Sequence, residues 1–176
     1  MKRFIKYFLC LLISLCVFAG TGCGFDVFGS GSRTAADAPL IIRMLDIGQG
    51  DAILIERNGK FALIDTGDVE HRPRMAEYLR KYGVKKVDTV IITHPHGDHI
   101  GGMFSVFANA EIRQVYDNGV PTSLSTYKTY RKILDKRKIP RRTLRGGEKI
   151  QLMDGVPFTV CLLYTSPSPR DPKTSR

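Results

Sequence analysis

Cysteine is missing from the part of this sequence that has a globular composition. The chain has four cysteines in 176 residues, and none lies between residues 24 and 160. That segment therefore has no disulfide framework and no thiolate ligand, so a metal bound there must be held by histidine and carboxylate side chains. Long apolar runs are also scarce, since the stretch at residues 8–18 is too short to span a bilayer comfortably.

Acidic residues are outnumbered, and the excess of basic residues is local. The chain has 27 Lys and Arg against 17 Asp and Glu, a formal net charge of +10. Residues 128–149 alone contain ten Lys or Arg and two acidic residues. The hydrophobic content of 43% and the charged content of 25% are typical of a globular protein. We therefore expect one ordinary domain with one strongly basic segment.

The N-terminus has the features of an export signal. Lys2, Arg3 and Lys6 precede the apolar stretch, and small residues at 19–22 precede Cys23. The pattern resembles a bacterial lipoprotein signal, although Gly20 occupies the position that usually carries Leu. We expect residues 1–23 to be this signal, lipidation of Cys23 to anchor the protein to the extracytoplasmic membrane surface, and residues 24–39 to be a flexible tether. The alternatives are ordinary cleavage, which gives a secreted protein, and an uncleaved anchor.

The last sixteen residues, 161–176, differ in composition from everything before them. They are rich in Ser, Pro and Thr, and the part from Cys161 to Asp171 resembles the translation of a transposase-type sequencing adapter. We therefore exclude residues 161–176 from fold prediction and expect the natural protein to continue past Val160.

The first part of the domain has the pattern of a small antiparallel sheet followed by a helix. Residues 40–45, 52–56 and 61–64 are rich in β-forming residues, and Asn58-Gly59 is a strong signal for a two-residue hairpin. Pro73 and Gly83 bracket an amphipathic helix. Its apolar residues follow the spacing i, i+3, i+4, i+7: Met75, Tyr78, Leu79 and Tyr82.

The second part alternates strands and helices. Residues 87–93 form a nearly continuous apolar strand, 100–108 a helix and 112–116 a strand. Thr122 or Ser123 can cap a long basic helix that reaches about Lys138, and residues 151–160 predict a hairpin that turns at Asp154-Gly155. Strands followed by strand–helix units predict an α/β fold of packed layers.

One stretch carries the chemistry: Thr-His-Pro-His-Gly-Asp-His-Ile-Gly-Gly at residues 93–102. Histidines two apart at the end of a strand present both imidazoles to one side, and Gly97 permits the turn that follows. Three histidines and one aspartate within six residues suit a borderline divalent ion such as Zn²⁺. The metal ligands predicted here are His94, His96, Asp98 and His99.

This motif after a buried strand resembles the signature of the metallo-β-lactamase fold, an αββα sandwich. The opening stretch Met-Leu-Asp-Ile-Gly-Gln-Gly-Asp-Ala at residues 44–52 is similar to the metallo-β-lactamase-like domain of competence proteins (the ComEC type). The resemblance covers residues 40–160, the N-terminal part of that domain. The sandwich is therefore expected to be truncated after its first half to two-thirds.

The resemblance implies a role for each motif residue. His94 and His96 would bind the first metal, and Asp98 and His99 the second. Asp98 would also hold the attacking hydroxide as the catalytic residue. Asp65 would orient a metal-binding residue without itself contacting the metal. The implied cofactors are two divalent metal ions, with Zn²⁺ preferred and Mn²⁺ as the alternative. Asp46 and Asp51 could support the ligands in the same way, but a turn role is favoured for both.

The family's later ligands have no counterpart in this sequence. They are a His, a metal-bridging Asp and a final His, whereas the only histidine here outside the motif is His71, upstream of it. A missing C-terminal part explains this better than loss of the site. We therefore expect this polypeptide as written to hold metal poorly and to be inactive.

The basic segment has two interpretations. Clustered Lys and Arg can bind phosphates, and the candidates are Lys128, Arg131, Lys132, Arg137, Arg141 and Arg142. They could equally form a solvated helix face or contact anionic lipids. The resemblance favours DNA, so the leading hypothesis is an exported phosphodiesterase or nuclease that acts on extracellular DNA. The alternatives are a β-lactamase- or lactonase-type hydrolase and a non-catalytic DNA-binding module at the cell surface.

Overall fold

An antiparallel meander begins the central sheet in the computed structural model, which describes residues 38–161. Strand β1 (Ile41–Met44) pairs with β2 (Ile53–Arg57), which pairs with β3 (Lys60–Ile64). Asn58 and Gly59 connect β2 to β3 with φ of 52° and 68°. Two positive φ values are those of a type I′ turn, so the hairpin predicted from Asn-Gly is confirmed. The predicted signal, Cys23 and nearly all of the tether and tail lie outside the described residues.

Helix α1 (Arg72–Lys81) follows the meander and carries Pro73 in its first turn. Met75 and Leu79 are buried, as their spacing predicts. Gly83 follows the helix with a φ of 67° and donates its N–H to the Arg80 carbonyl at 3.1 Å. The predicted helix is confirmed because its start and stop signals are local.

Parallel strands extend the sheet on the other side of β3. Two short strands, β4 (Lys86–Val87) and β6 (Glu111–Ile112), pair with each other outside the main sheet. Strands β5 (Thr89–Ile92), β7 (Val115–Asp117) and β8 (Arg141–Thr143) join the main sheet, whose order is β1-β2-β3-β5-β7-β8. Two predicted strands, 87–93 and 112–116, are thus each divided between two sheets.

Three further helices differ in detail from the prediction. The helix expected at 100–108 is divided into α2 (Gly97–Ile100) and α3 (Met103–Asn109). The basic helix α4 (Ser125–Arg137) begins after Leu124 without a side-chain cap. Thr122 and Ser123 therefore do not cap it. The helix ends next to Lys138, as expected, and Lys138 adopts the left-handed conformation.

Each face of the sheet packs against one cluster of buried side chains. Leu54, Leu63 and Val90 face one cluster, which α1, α3 and α4 cover. Their neighbours Ile55, Ala62 and Ile91 point to the other face, as the period of two requires. The hairpin β9 (Lys149–Met153) and β10 (Val156–Thr159) covers that second face. It turns through Gly155, whose φ is 74°, so the predicted hairpin is confirmed. No helix among residues 38–161 has the length and hydrophobicity to cross a membrane.

Candidate metal centre

The predicted metal ligands follow the end of β5, beside the end of β3. These strands are parallel neighbours, with Ile64 opposite Ile91, so their carboxyl ends lie at the same edge of the sheet. Asp65 and Thr93 are the first residues beyond those ends. Loops at this edge of a parallel sheet are where α/β proteins commonly bind ligands.

Asp65 has an unusual backbone conformation. Its φ is 53°, a left-handed value that aspartate tolerates better than most residues. The residue is 2% exposed, and its N–H donates to the Ile91 carbonyl at 2.8 Å. Its Oδ1 accepts a hydrogen bond from the Thr93 N–H at 2.8 Å. These two bonds fix the carboxylate between the strand ends.

The second oxygen of Asp65 orients His99. Oδ2 accepts a hydrogen bond from His99 Nδ1 at 2.8 Å, so the His99 proton lies on Nδ1 and Nε2 is available as a metal ligand. The hydrogen bond to Asp65 raises the pKa of His99 against the opposing effect of burial. The position of Asp65 agrees with the supporting role implied by the resemblance.

Thr93 extends the same support to His94, a role that sequence reasoning missed. Thr93 Oγ1 donates its one proton to Asp65 Oδ2 at 2.5 Å. The hydroxyl lies 3.1 Å from His94 Nδ1 and must therefore accept the Nδ1–H. His94 Nε2 is then the free nitrogen. The threonine directly before the first histidine was the available signal.

The three motif histidines are neighbours in space. The ring centroids of His94 and His96 are 4.7 Å apart, and those of His94 and His99 are 3.9 Å apart. Burial, followed by the neighbouring imidazoles, lowers the pKa of His94. Asp98 Oδ2 lies 3.7 Å from His99 Nε2. The structure thus brings the four predicted ligands together.

These donors fit a borderline divalent ion by the chemical type of their side chains. However, among residues 38–161 no three His, Cys, Asp or Glu side chains form a group that could hold a metal ion. The four residues are therefore adjacent parts of a site and not a closed coordination sphere.

Two glycines, Gly50 and Gly102, allow the metal-binding loop to pack closely against the neighbouring backbone. A Cβ on Gly102 would lie 1.9 Å from the Thr66 carbonyl oxygen, and one on Gly50 would lie 2.0 Å from the Asp98 carbonyl oxygen. No side chain fits at either distance. Thr66 also donates both its N–H and its hydroxyl to the His99 carbonyl, each at 2.8 Å. The loop is thereby held by backbone contacts that do not depend on a metal.

Asp46 and Asp51 lie on the turn that reaches this loop. Asp46 is exposed and lies 3.2 Å from Arg74 Nη1. The Asp51 carbonyl accepts the Gly67 N–H at 2.8 Å. The carboxylate of Asp51 adds a minor contribution to the raised pKa of His99. Asp46 and Asp51 flank the bend at residues 48–50, and the choice between a turn role and support of a metal ligand stays a prediction.

The predicted phosphate-binding residues divide into two groups. Arg141 forms two hydrogen bonds to the buried Asp117 carboxylate, one of them at 2.6 Å. Arg137 donates to the Phe107 carbonyl at 2.5 Å, and Arg142 to Glu148 at 2.6 Å. Lys128 and Lys132, one turn apart on α4, are exposed, and Arg131 is half-buried. Helix α2, which carries Asp98 and His99, contacts α4, so the basic helix lies beside the metal loop.

Residues 45–164 match the model of the metallo-beta-lactamase superfamily. The chain belongs to this superfamily. The family and the α/β fold expected from the His-rich motif are therefore confirmed. Relatives with this fold include hydrolases that bind divalent metals, typically zinc.

Individual relatives match over short stretches. Recombination protein 2 of Haemophilus influenzae is 38% identical over 76 residues, which are 39% of this chain and 10% of that protein. Ribonuclease Z of Bradyrhizobium diazoefficiens is 36% identical over 67 residues, which are 38% of this chain and 21% of that protein. A solved diphosphatase of the PhnP family is 25% identical, with a TM-score of 0.41 over 63% of this chain and 42% of that one. The chain thus spans only a small part of the curated relatives.

Proposed function

We propose that the protein is an exported, metal-dependent phosphodiesterase and that extracellular DNA is its substrate. The observation that carries the hydrolase assignment is the cluster of His94, His96 and His99 beside Asp98, with two imidazoles oriented through Asp65. All four donors of the motif lie on one loop held by backbone contacts, which supports metal-dependent hydrolysis as the chemistry of this superfamily member. The DNA substrate and the export are each tested by an experiment of their own.

In the proposed mechanism His94 and His96 would hold one metal, and Asp98 and His99 would hold a second. When bound, such divalent ions would lower the pKa of a water ligand to about 7 and act as Lewis acids. Asp65 accepts the Nδ1–H of His99 directly and acts on His94 through Thr93, which leaves both Nε2 atoms as the candidate metal-binding nitrogens. Asp98 is 36% exposed in its side chain, so its carboxylate can accept a hydrogen bond from the attacking water.

Two considerations favour a nucleic acid among possible substrates. Lys128 and Lys132 expose two positive charges on the helix that contacts α2, and phosphate groups are the natural partners of such charges. The similarity to Ribonuclease Z, a relative named for its action on RNA, also favours a phosphodiester. A β-lactamase- or lactonase-type activity does not require exposed lysines beside the site. It is the alternative activity.

DNA cleavage tests the activity. The protein expressed from its complete gene and loaded with Zn²⁺ or Mn²⁺ should nick plasmid DNA, and the His96→Ala variant should not. Equal cutting by both proteins would refute the proposal. Turnover of a β-lactam or a lactone without DNA cleavage would establish the alternative enzyme. Salt-sensitive DNA binding that persists in chelator without cleavage would establish a binding module.

The basic helix has its own test with a matched control. The double variant Lys128→Gln/Lys132→Gln should bind DNA more weakly and reduce the slope of log affinity against log salt by about 2. The control Lys81→Gln/Lys85→Gln makes the same change in net charge at and beyond the end of α1. Equal losses in both variants would show that net charge matters and that α4 has no special role.

Export and anchoring are tested in cells. We expect labelled palmitate to be incorporated into the wild-type protein and not into the Cys23→Ser variant. Release of unlabelled wild-type protein into the medium would instead identify it as secreted. Retention of the wild-type protein in the cytoplasm would refute export.

A further inference from the structure

A fourth histidine, His71, lies outside the predicted ligand set but is held beside the metal loop. We propose that His71, oriented by Asp68, is the proton donor to the leaving group in the hydrolytic reaction. This inference rests on the proposed phosphodiesterase function. It assigns a role to a residue that neither the motif nor the basic segment includes.

The Asp68 carboxylate fixes the His71 ring. His71 Nδ1 lies 2.8 Å from Asp68 Oδ1 and 3.0 Å from Oδ2, and the His71 N–H donates to Oδ1 at 2.7 Å. Burial raises the pKa of Asp68, but the hydrogen bonds from His71 outweigh it and leave that pKa below its usual value. The carboxylate is therefore ionised at neutral pH and accepts the hydrogen bond from His71 Nδ1.

The dyad is attached to the metal loop through closely packed backbone. A Cβ on Gly101, two residues after His99, would lie 2.2 Å from the Asp68 carbonyl carbon. Arg72 Nε, on the other side of His71, donates to the Gly101 carbonyl at 2.9 Å. Residues on both sides of His71 thus contact the same glycine of the loop.

The turn at residues 48–50 connects His71 to the loop a second time. A Cβ on Gly48 would lie 2.3 Å from the His71 ring, whereas one on Gly50 would meet the Asp98 carbonyl oxygen at 2.0 Å. Gly48 has a φ of 76°, so only glycine suits this position. The turn leaves room for the imidazole and packs against the residue that carries the catalytic carboxylate.

The remaining nitrogen of the ring is available for chemistry. His71 is the residue before α1, but its side chain makes no capping hydrogen bond, so helix capping does not explain the ring. Within residues 38–161 its Nε2 has no hydrogen-bond partner, and the side chain is 30% exposed. A half-exposed imidazole with one nitrogen on a carboxylate and the other free is the arrangement of a general acid or base.

The proposed step balances without a further reactant. Water attacks phosphorus and forms the new P–O bond, while the P–O bond to the sugar oxygen breaks and its electron pair stays on that oxygen. The Nε2–H of protonated His71 transfers its proton to this oxygen, which leaves as a hydroxyl group. The attacking water loses one proton to solvent, and neutral His71 regains one from solvent before the next turnover.

Leaving-group dependence tests this role in the metal-loaded protein from the complete gene. The substrates are thymidine 5′-(p-nitrophenyl phosphate), whose leaving group needs no proton, and the dinucleotide thymidylyl-thymidine, whose sugar alkoxide does. We expect His71→Gln to lower kcat for the dinucleotide about 100-fold, with less than about a threefold change for the p-nitrophenyl ester. Asp68→Asn should show the same selectivity with a smaller loss.

Other outcomes separate the possible failures. Equal losses on both substrates, or no loss on either, would overturn the role of His71 while the phosphodiesterase stands. A wild-type protein that cleaves neither substrate would overturn both proposals. Glu70→Gln, a neutral substitution at the adjacent exposed residue, is the matched control and should change neither rate. Zinc content and circular dichroism verify that each variant is folded and loaded.

Discussion

The Asp65 carboxylate and the His99 imidazole are 34 residues apart in sequence and are joined by a 2.8 Å hydrogen bond between Oδ2 and Nδ1. The same oxygen accepts the hydroxyl proton of Thr93, which in turn accepts a hydrogen bond from His94. One buried carboxylate thus sets the tautomers of two predicted metal ligands. Hydrogen bonds to the Nδ1 atoms orient the His94 and His99 rings, which is the usual way that proteins orient metal-binding histidines.

Asp65→Asn should therefore weaken metal binding without unfolding the loop. Asparagine tolerates the left-handed φ of this position, so the substitution removes the charge and keeps the backbone. We expect Zn²⁺ affinity to fall about 10- to 100-fold, measured by competition with a chromophoric chelator. Asp46→Asn, at an exposed carboxylate beside the bend at residues 48–50, is the control. Unchanged affinity in Asp65→Asn would show that the ligands orient themselves.

Gly102→Ala should destabilise the fold, because its Cβ would lie 1.9 Å from the Thr66 carbonyl oxygen. A backbone carbonyl cannot move aside as a flexible side chain can. We expect a loss of about 1–3 kcal/mol in the free energy of unfolding, measured in urea. Gly97→Ala adds the same methyl group where no atom lies within 4 Å, so it should be neutral or slightly stabilising. Equal effects at both glycines would contradict the close packing.

Arg141→Ala should destabilise the protein far more than Arg142→Ala. Arg141 is 20% exposed and pairs with Asp117, which is 5% exposed, so its removal leaves a buried carboxylate without a counter-charge. We expect a loss of about 3–5 kcal/mol. Arg142 is 53% exposed beside Glu148, and its removal should cost less than about 1 kcal/mol. Similar losses would show that the Arg141 pair is no more important than a surface contact.

Tyr130→Phe should leave the protein as stable or make it more stable. The Tyr130 hydroxyl is buried without a hydrogen-bond partner in the described part of the chain. Burial also raises the pKa of this phenol far above its ordinary value, so the group stays neutral. Removal of an unsatisfied buried hydroxyl should stabilise the fold by about 1 kcal/mol. A clear loss of stability on thermal unfolding would reveal a partner for the hydroxyl.

Local chemistry explains which parts of the fold could be predicted from the sequence. The Asn58-Gly59 hairpin and the helix that ends before Gly83 were predicted correctly, because turn and capping residues determine these features within a few positions. The helix expected at 100–108 was wrong as a single element. Gly101 and Gly102 separate α2 from α3 where the chain packs against residues 66–69, and such a distant contact leaves no local signal.

The candidate site was predictable to the same extent. The four predicted ligands lie within six residues and are neighbours in the structure, and their binding of metal stays a prediction. The partners that orient them come from other strand ends, and only Asp65 was foreseen. Arg141 was predicted to be a phosphate-binding residue, but it is bound to Asp117 in the structure. A count of charges along the sequence does not show which of them are paired. Whether the remaining basic residues bind phosphate stays a prediction.

Metal content is the most direct test of the central claim, that His94, His96, Asp98 and His99 hold the metals of a hydrolase. The protein from the complete gene should retain about two Zn²⁺ ions per chain after dialysis, measured by atomic emission. The double variant His94→Ala/His96→Ala should lose about one of them. A wild-type protein without bound metal, or a double variant with undiminished metal content, would contradict the account.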